Sequence, residues 1–171
     1  MKNVVGILGI FLLAIACQEN VQVQKVSEFT GNETTYALQK GSTYDISGVV
    51  TLKERKDGTA TVLVDLTGIS SEAKYPVHLH LGDLSVNGAD VAALLSPVIG
   101  TTGKSETRID RLADETPVSY SDLVKINACI KIHLSDTGTE RNIILAAGNI
   151  GTAVTKTVAG GRVGVSVCKS E

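Results

Sequence analysis

Short runs of alternating side chains set the limits on how this chain can fold. Thr59 to Leu66 puts Ala60, Val62, Val64 and Leu66 on one face and Thr59, Thr61, Leu63 and Asp65 on the other. A period of two is the pleat of a strand with one buried side, whereas a helix repeats every ~3.6 residues. Tyr44 to Lys53 carries Tyr44, Ile46, Val49, Val50 and Leu52, and Lys56-Asp57-Gly58 after it reads as a hairpin turn, glycine accepting the positive φ. Further strands are expected at 34–39, 75–81, 127–134, 142–147 and 162–168, the last alternating Val163, Val165 and Val167. Between them, 82–117 is less regular. Ala89 to Leu95 reads as a helical turn, Val98 to Gly103 as loop, 101–112 as an edge strand, and Ser121 as the cap of a short helix through Val124. Seven or eight short strands without an internal repeat predict an all-β Greek-key sandwich or flattened barrel.

All three histidines of the chain fall inside such runs, Val77-His78-Leu79-His80-Leu81 and Cys129-Ile130-Lys131-Ile132-His133-Leu134. Residues two apart on a strand project to one side, roughly 6–7 Å apart. His78 and His80 therefore point together, away from Val77, Leu79 and Leu81, and His133 lies opposite Ile130, Ile132 and Leu134. If both strands give their aliphatic faces to one core, the three imidazoles lie outside it. A lone strand histidine is ordinarily solvated or hydrogen-bonded. Two at i and i+2 with a third from a neighbouring strand can hold one copper or zinc ion. Spacing alone does not make the two strands neighbours. Ligand imidazoles must be neutral, so binding is expected to weaken below about pH 6.5.

The amino terminus reads as a targeting segment. Met1-Lys2-Asn3 is a short positive start, and Val4 to Ala16 is apolar but too short to span a bilayer comfortably. Leu13-Ala14-Ile15-Ala16-Cys17 resembles a bacterial lipobox, in which cleavage precedes the cysteine and that cysteine is lipidated. The expected organisation is a signal peptide over 1–16, a lipidated polar tether over 17–33 and one β-domain over 34–171. This implies a lipid-anchored protein of the bacterial cell envelope, with the membrane as partner through its anchor. The sequon Asn32-Glu33-Thr34 is discounted on the same ground. Cys129 and Cys168 remain; they are a candidate disulfide in an exported compartment, or two small buried side chains. Net charge is −2, basic residues are scattered and aromatics are 4%, which argues against a nucleic-acid surface.

Several catalytic patterns fail. Gly100-Thr101-Thr102-Gly103-Lys104-Ser105 has Val98 where a phosphate loop needs its first glycine. Cys129 and His133 are about 13 Å apart along a strand, too far for a nucleophile and its base. No Gly-x-Ser-x-Gly elbow occurs.

Residues 34–83 resemble the first half of the Cu/Zn superoxide dismutase fold. The features are Ala37-Leu38-Gln39-Lys40-Gly41, Ser47-Gly48-Val49-Val50-Thr51-Leu52, the Asp57-Gly58 turn, Leu66-Thr67-Gly68-Ile69 and His78-Leu79-His80 with Gly82-Asp83. The stretch from His78 to Gly88 is more similar still to the CHRD domain, a related β-sandwich named after chordin. Both resemblances imply a superoxide dismutase-like sandwich, and the dismutase resemblance implies copper held by His78, His80 and His133. The dismutase family adds a histidine bridging copper and zinc, and residues 82–132 contain none, so a dinuclear site is absent. Arg141 and Arg162 are the candidates for that family's guiding arginine. Three functions follow as expectations: an envelope protein binding one copper or, second, one zinc ion; a copper-only superoxide dismutase; and a non-catalytic binding module whose histidines are vestigial.

Overall fold

A computed structural model describes residues 26–86 and 89–156. The fold is all-β. Among the described residues, eight strands, β1 (Phe29–Lys40), β2 (Ser47–Arg55), β3 (Ala60–Thr67), β4 (Lys74–Leu81), β5 (Val91–Ile99), β6 (Lys104–Ile109), β7 (Asn127–His133) and β8 (Ile144–Gly151), form one antiparallel sheet. Its order is β1-β2-β3-β6-β5-β4-β7-β8, closed into a barrel. The β3–β4 and β6–β7 connections each cross over two intervening strands, so the chain follows Greek-key paths. Of the two architectures expected, this is the flattened barrel. The β4–β7 pairing that those crossovers create is the condition the histidine reading needed.

The inward positions of the alternating runs build the core. Val50, Leu52, Val62, Val64, Val77, Leu79, Ile130, Ile132, Leu145 and Ala146 belong to one buried cluster. The β2–β3 hairpin closes as its residues demand: Gly58 takes φ +82°, its N–H donates to the Arg55 carbonyl at 2.9 Å, and the Asp57 carboxylate accepts from the Thr59 N–H at 3.0 Å.

Five local expectations are corrected. Ala89 to Leu95 is not a helical turn, because β5 pairs along β4 and buries Ala92, Ala93, Leu95 and Val98; pairing overrides a weak local preference. The expected loop from Val98 therefore begins only after Ile99. The 101–112 strand is β6, and it is no edge: barrel closure seats it between β3 and β5. The short helix α1 (Tyr120–Leu123) is capped by Ser119 rather than Ser121, because Asp122 sits three residues on and completes a capping box. Strand β1 begins at Phe29, inside the polar stretch read as tether. Its first residues pair with the end of β2, and the Phe29 ring lies under Arg55 at 5.7 Å. Residues 1–16, Cys17, the strand expected at 162–168 and Cys168 lie outside the described residues.

Candidate metal centre

Strands β4 and β7 are antiparallel neighbours, in a register that sets Val77 opposite Ile132, His78 opposite Lys131, Leu79 opposite Ile130 and His80 opposite Cys129. Val77, Leu79, Ile130 and Ile132 go into the core, so alternation sends His78, His80, Lys131 and His133 to the other side. Two bulges flank the site. The β4–β5 register slips between Leu79 and His80, and the β7–β8 register between Ile132 and His133. A bulge re-aims the side chains beside it. The ring centroids of His78 and His133 come within 4.5 Å, those of His78 and His80 within 5.8 Å, and those of His80 and His133 within 6.2 Å. One ring nitrogen from each lies within 4.8 Å of the others.

The rings lie outside the barrel core, yet they are not exposed. His80 and His133 have 0% of their surface accessible, and His78 has 7%. Loops that follow the two histidine strands reach the site. After β4 the chain turns at Gly82, whose φ of +87° suits glycine alone, and brings Leu84 onto the outer face against Cys129, Ile144 and Ala147. The Asn149 side chain holds that loop by accepting from the Leu84 N–H at 2.9 Å. After β7, a short 3-10 segment over Thr139–Asn142 brings a backbone carbonyl to His133.

These loops fix the ring chemistry. His80 Nδ1 lies 2.9 Å from the Ala89 carbonyl oxygen, and His133 Nδ1 lies 2.7 Å from that of Arg141. A carbonyl only accepts, so Nδ1 carries the proton in both rings, and the lone pair of each neutral imidazole is on Nε2. A backbone carbonyl on the far nitrogen is the usual outer partner of a metal-ligating histidine. Among the described residues, His78 Nδ1 is buried with no hydrogen-bond partner. Leaving such an atom unsatisfied is costly, and a cation at the centre of the triad would satisfy it.

Electrostatics keep the rings in the ligand form. Burial lowers the pKa of His78 to about 4, with the other two histidines and Arg141 adding to it. Burial also takes His133 to about 4, helped by His80, Lys131 and Arg141 and opposed by the hydrogen bond to Arg141. His80 is lowered too, by burial first, then Lys131 and Arg141, against its bond to Ala89. The expectation that protons compete from about pH 6.5 is corrected: that value belongs to a solvated imidazole, and these are desolvated.

Donors around a tetrahedral or trigonal ion at roughly 2.0–2.1 Å sit about 3.4–3.6 Å apart. A spread of up to 4.8 Å needs the rings to close by about 1 Å, within reach of modest side-chain rotation. The triad therefore fits a small transition-metal ion. The histidine pattern in the sequence marked these three side chains. It did not mark Lys131, wholly buried between Cys129 and His133 on the outward face of β7, nor the carbonyls of Ala89 and Arg141. Lys131 was legible in principle, since it shares the phase of His133. The carbonyls belong to loops without periodicity. Cys129 is buried beside the site, opposite His80, while its expected pairing with Cys168 falls outside the described residues.

In comparisons with protein-family models, with curated proteins and with solved structures, nothing matches this chain.

Proposed function

We propose that this chain is a metal-binding envelope protein that holds one copper ion, or less readily zinc, through His78, His80 and His133. The observation that carries the reading is the convergence of three imidazole nitrogens within 4.8 Å, with Nδ1 of His80 and His133 tied to carbonyls. Imidazole suits both metals, and when bound the ion would supply Lewis acidity or, for copper, electron transfer. The protein's own part is to orient the rings, keep them neutral and exclude water. The resemblance to the CHRD domain and to Cu/Zn superoxide dismutase is part of this proposal, supported by the Greek-key barrel with its histidines on adjacent strands. So is lipid anchoring at Cys17, supported by the lipobox-like run before it. Between holding an ion and turning over a diffusing substrate at it, the near-complete burial of the triad favours holding.

The test is a titration of the metal-free protein with copper and zinc. One equivalent should bind. His80→Ala should lose most of the affinity, while Lys56→Ala, in the β2–β3 turn, should lose none. Equal binding by His80→Ala and the parent chain would remove the triad from the site. No binding by the parent would leave the non-catalytic module as the better reading.

A further inference from the structure

Asn149 stands one ladder step beyond the metal centre. His80 on β4 lies opposite Cys129 on β7, and Cys129 lies opposite Asn149 on β8, so the three form one row across the sheet. Two strand spacings separate Asn149 from His80 by about 10 Å. What its amide meets is the chain that follows β4. Oδ1 accepts from the Leu84 N–H at 2.9 Å, and Nδ2 donates to the Ala153 carbonyl at 3.1 Å. A carbonyl only accepts, so the second bond fixes the way the amide faces and keeps Oδ1 turned to Leu84. The base for this grip is firm. Ala153 is wholly buried in the 3-10 turn Thr152–Lys156, whose first residue donates its N–H to the Ile126 carbonyl at 3.0 Å.

The segment that Asn149 grips is the one that ends on His80. It leaves β4 at Gly82, whose N–H donates to the Asn127 carbonyl at 2.7 Å, and returns at Asp90, whose carbonyl accepts from the Leu81 N–H at 3.2 Å. Asn149 takes hold between these two backbone ties. Ala89, just before the return, offers the carbonyl that meets His80 Nδ1 at 2.9 Å. We propose that Asn149 is a positioning residue of the metal centre: by fixing this segment it holds the Ala89 carbonyl on His80, and so keeps the ring proton on Nδ1 and the lone pair on Nε2. Once released, the ring can turn and carry its proton on either nitrogen, and a neutral ring protonated on Nε2 offers an ion nothing there. Outer partners of ligating histidines are worth about 10–100-fold in metal affinity, and Asn149 acts through a further link, so the lower end, about tenfold, is expected. The effect on affinity rests on the metal-site reading above; the effect on the ring stands without any ion. His133 is the internal reference, because its Nδ1 meets the Arg141 carbonyl, and these two hydrogen bonds of Asn149 go elsewhere.

The experiment compares the full chain with two variants. Asn149→Leu has similar size and neither donor nor acceptor. Asn149→Asp retains an acceptor for Leu84 and loses the donor to Ala153. On metal-free protein near neutral pH, heteronuclear NMR spectra of the imidazoles report which nitrogen of each ring carries the proton. On the same samples Cu(I), without oxygen, and Zn(II) are titrated against chromogenic chelators. Asn149→Leu should lose the fixed Nδ1–H of His80, keep that of His133, and bind metal about tenfold more weakly. Asn149→Asp should keep both. Its added charge favours any cation, so for this variant the ring spectrum decides, and loss of the His80 Nδ1–H there overturns the proposal. An unchanged His80 in Asn149→Leu overturns it, and so does an affinity within about twofold of the parent. Joint loss at His80 and His133 also overturns it, since Asn149 would then support the barrel at large. If the parent binds no ion, the metal-site reading fails and the ring spectra alone decide on Asn149. Should Asn149→Leu not fold by circular dichroism, Asn149→Ser, too short to reach Leu84, takes its place with the same expected and overturning results.

Discussion

The metal-free protein should lose stability in acid over a window set by its histidines. In the unfolded chain a histidine protonates near pH 6.5, while His78 and His133 in the fold resist protonation down to about 4. Between those values the unfolded state binds protons that the folded state refuses. Stability is then complete above about pH 6.5, falls as pH drops toward 4, and levels off below. A gap of about 2.5 units at 1.36 kcal/mol per unit is ~3 kcal/mol for one histidine. Residual solvent contact at His78 trims its share, so the pair removes about 5 kcal/mol, a large part of the ~5–15 kcal/mol that holds a typical domain together. For a domain of this size that lowers Tm by about 15–20 °C between pH 7 and pH 4. Thermal melts followed by circular dichroism measure it. Replacing both residues, His78→Gln with His133→Gln, should flatten the slope. The carboxylates of Asp45, Asp57, Asp114 and Asp122 are held below their ordinary value by neighbouring hydrogen bonds, so their contribution is lost only at and below about pH 4. A Tm that stays level from pH 7 to 4.5, or histidine resonances titrating near 6.5, would refute the reasoning.

Three further outcomes are expected. Cys17→Ser should leave unprocessed precursor and abolish detergent-phase partitioning, and normal processing of the variant would count against lipidation. Cys129 and Cys168 should be oxidised to each other in exported protein, closing a loop of about 40 residues worth ~2–4 kcal/mol; thiol titration of unreduced, denatured protein should find neither of them free. Gly148→Ala should lower the denaturation midpoint by ~2 kcal/mol or more, because a Cβ there would lie 2.1 Å from the Ala37 carbonyl oxygen, where β1 meets β8; an unchanged midpoint would deny that close seam.

The legible parts of this fold were those where one residue type repeats with the pleat. Thr59 to Leu66 alternates without a break, and β3 follows it almost residue for residue. The outward phase of His78, His80 and His133 came from the same rule and holds because the Greek-key path makes β4 and β7 neighbours. Strand β5 escaped because its bulges break the alternation: Ala92 and Ala93 are consecutive and both buried, and Pro97 falls where the ladder slips again. Gly148-Asn149-Ile150-Gly151 gave no strand signal, yet it is the second half of β8, glycine at 148 being what lets β1 approach. The burial of the triad was the least legible property. The carbonyls that meet its rings belong to Ala89 and Arg141, residues of irregular loops whose paths are set by tertiary contacts rather than by any local period.

X-ray absorption at the copper edge, on protein loaded with one equivalent of Cu(I), tests the central claim most directly. The account predicts three imidazole nitrogens at roughly 2.0–2.1 Å and the loss of one of them in His80→Ala. Fewer than three imidazoles in the parent, or an unaltered spectrum in the variant, would contradict it.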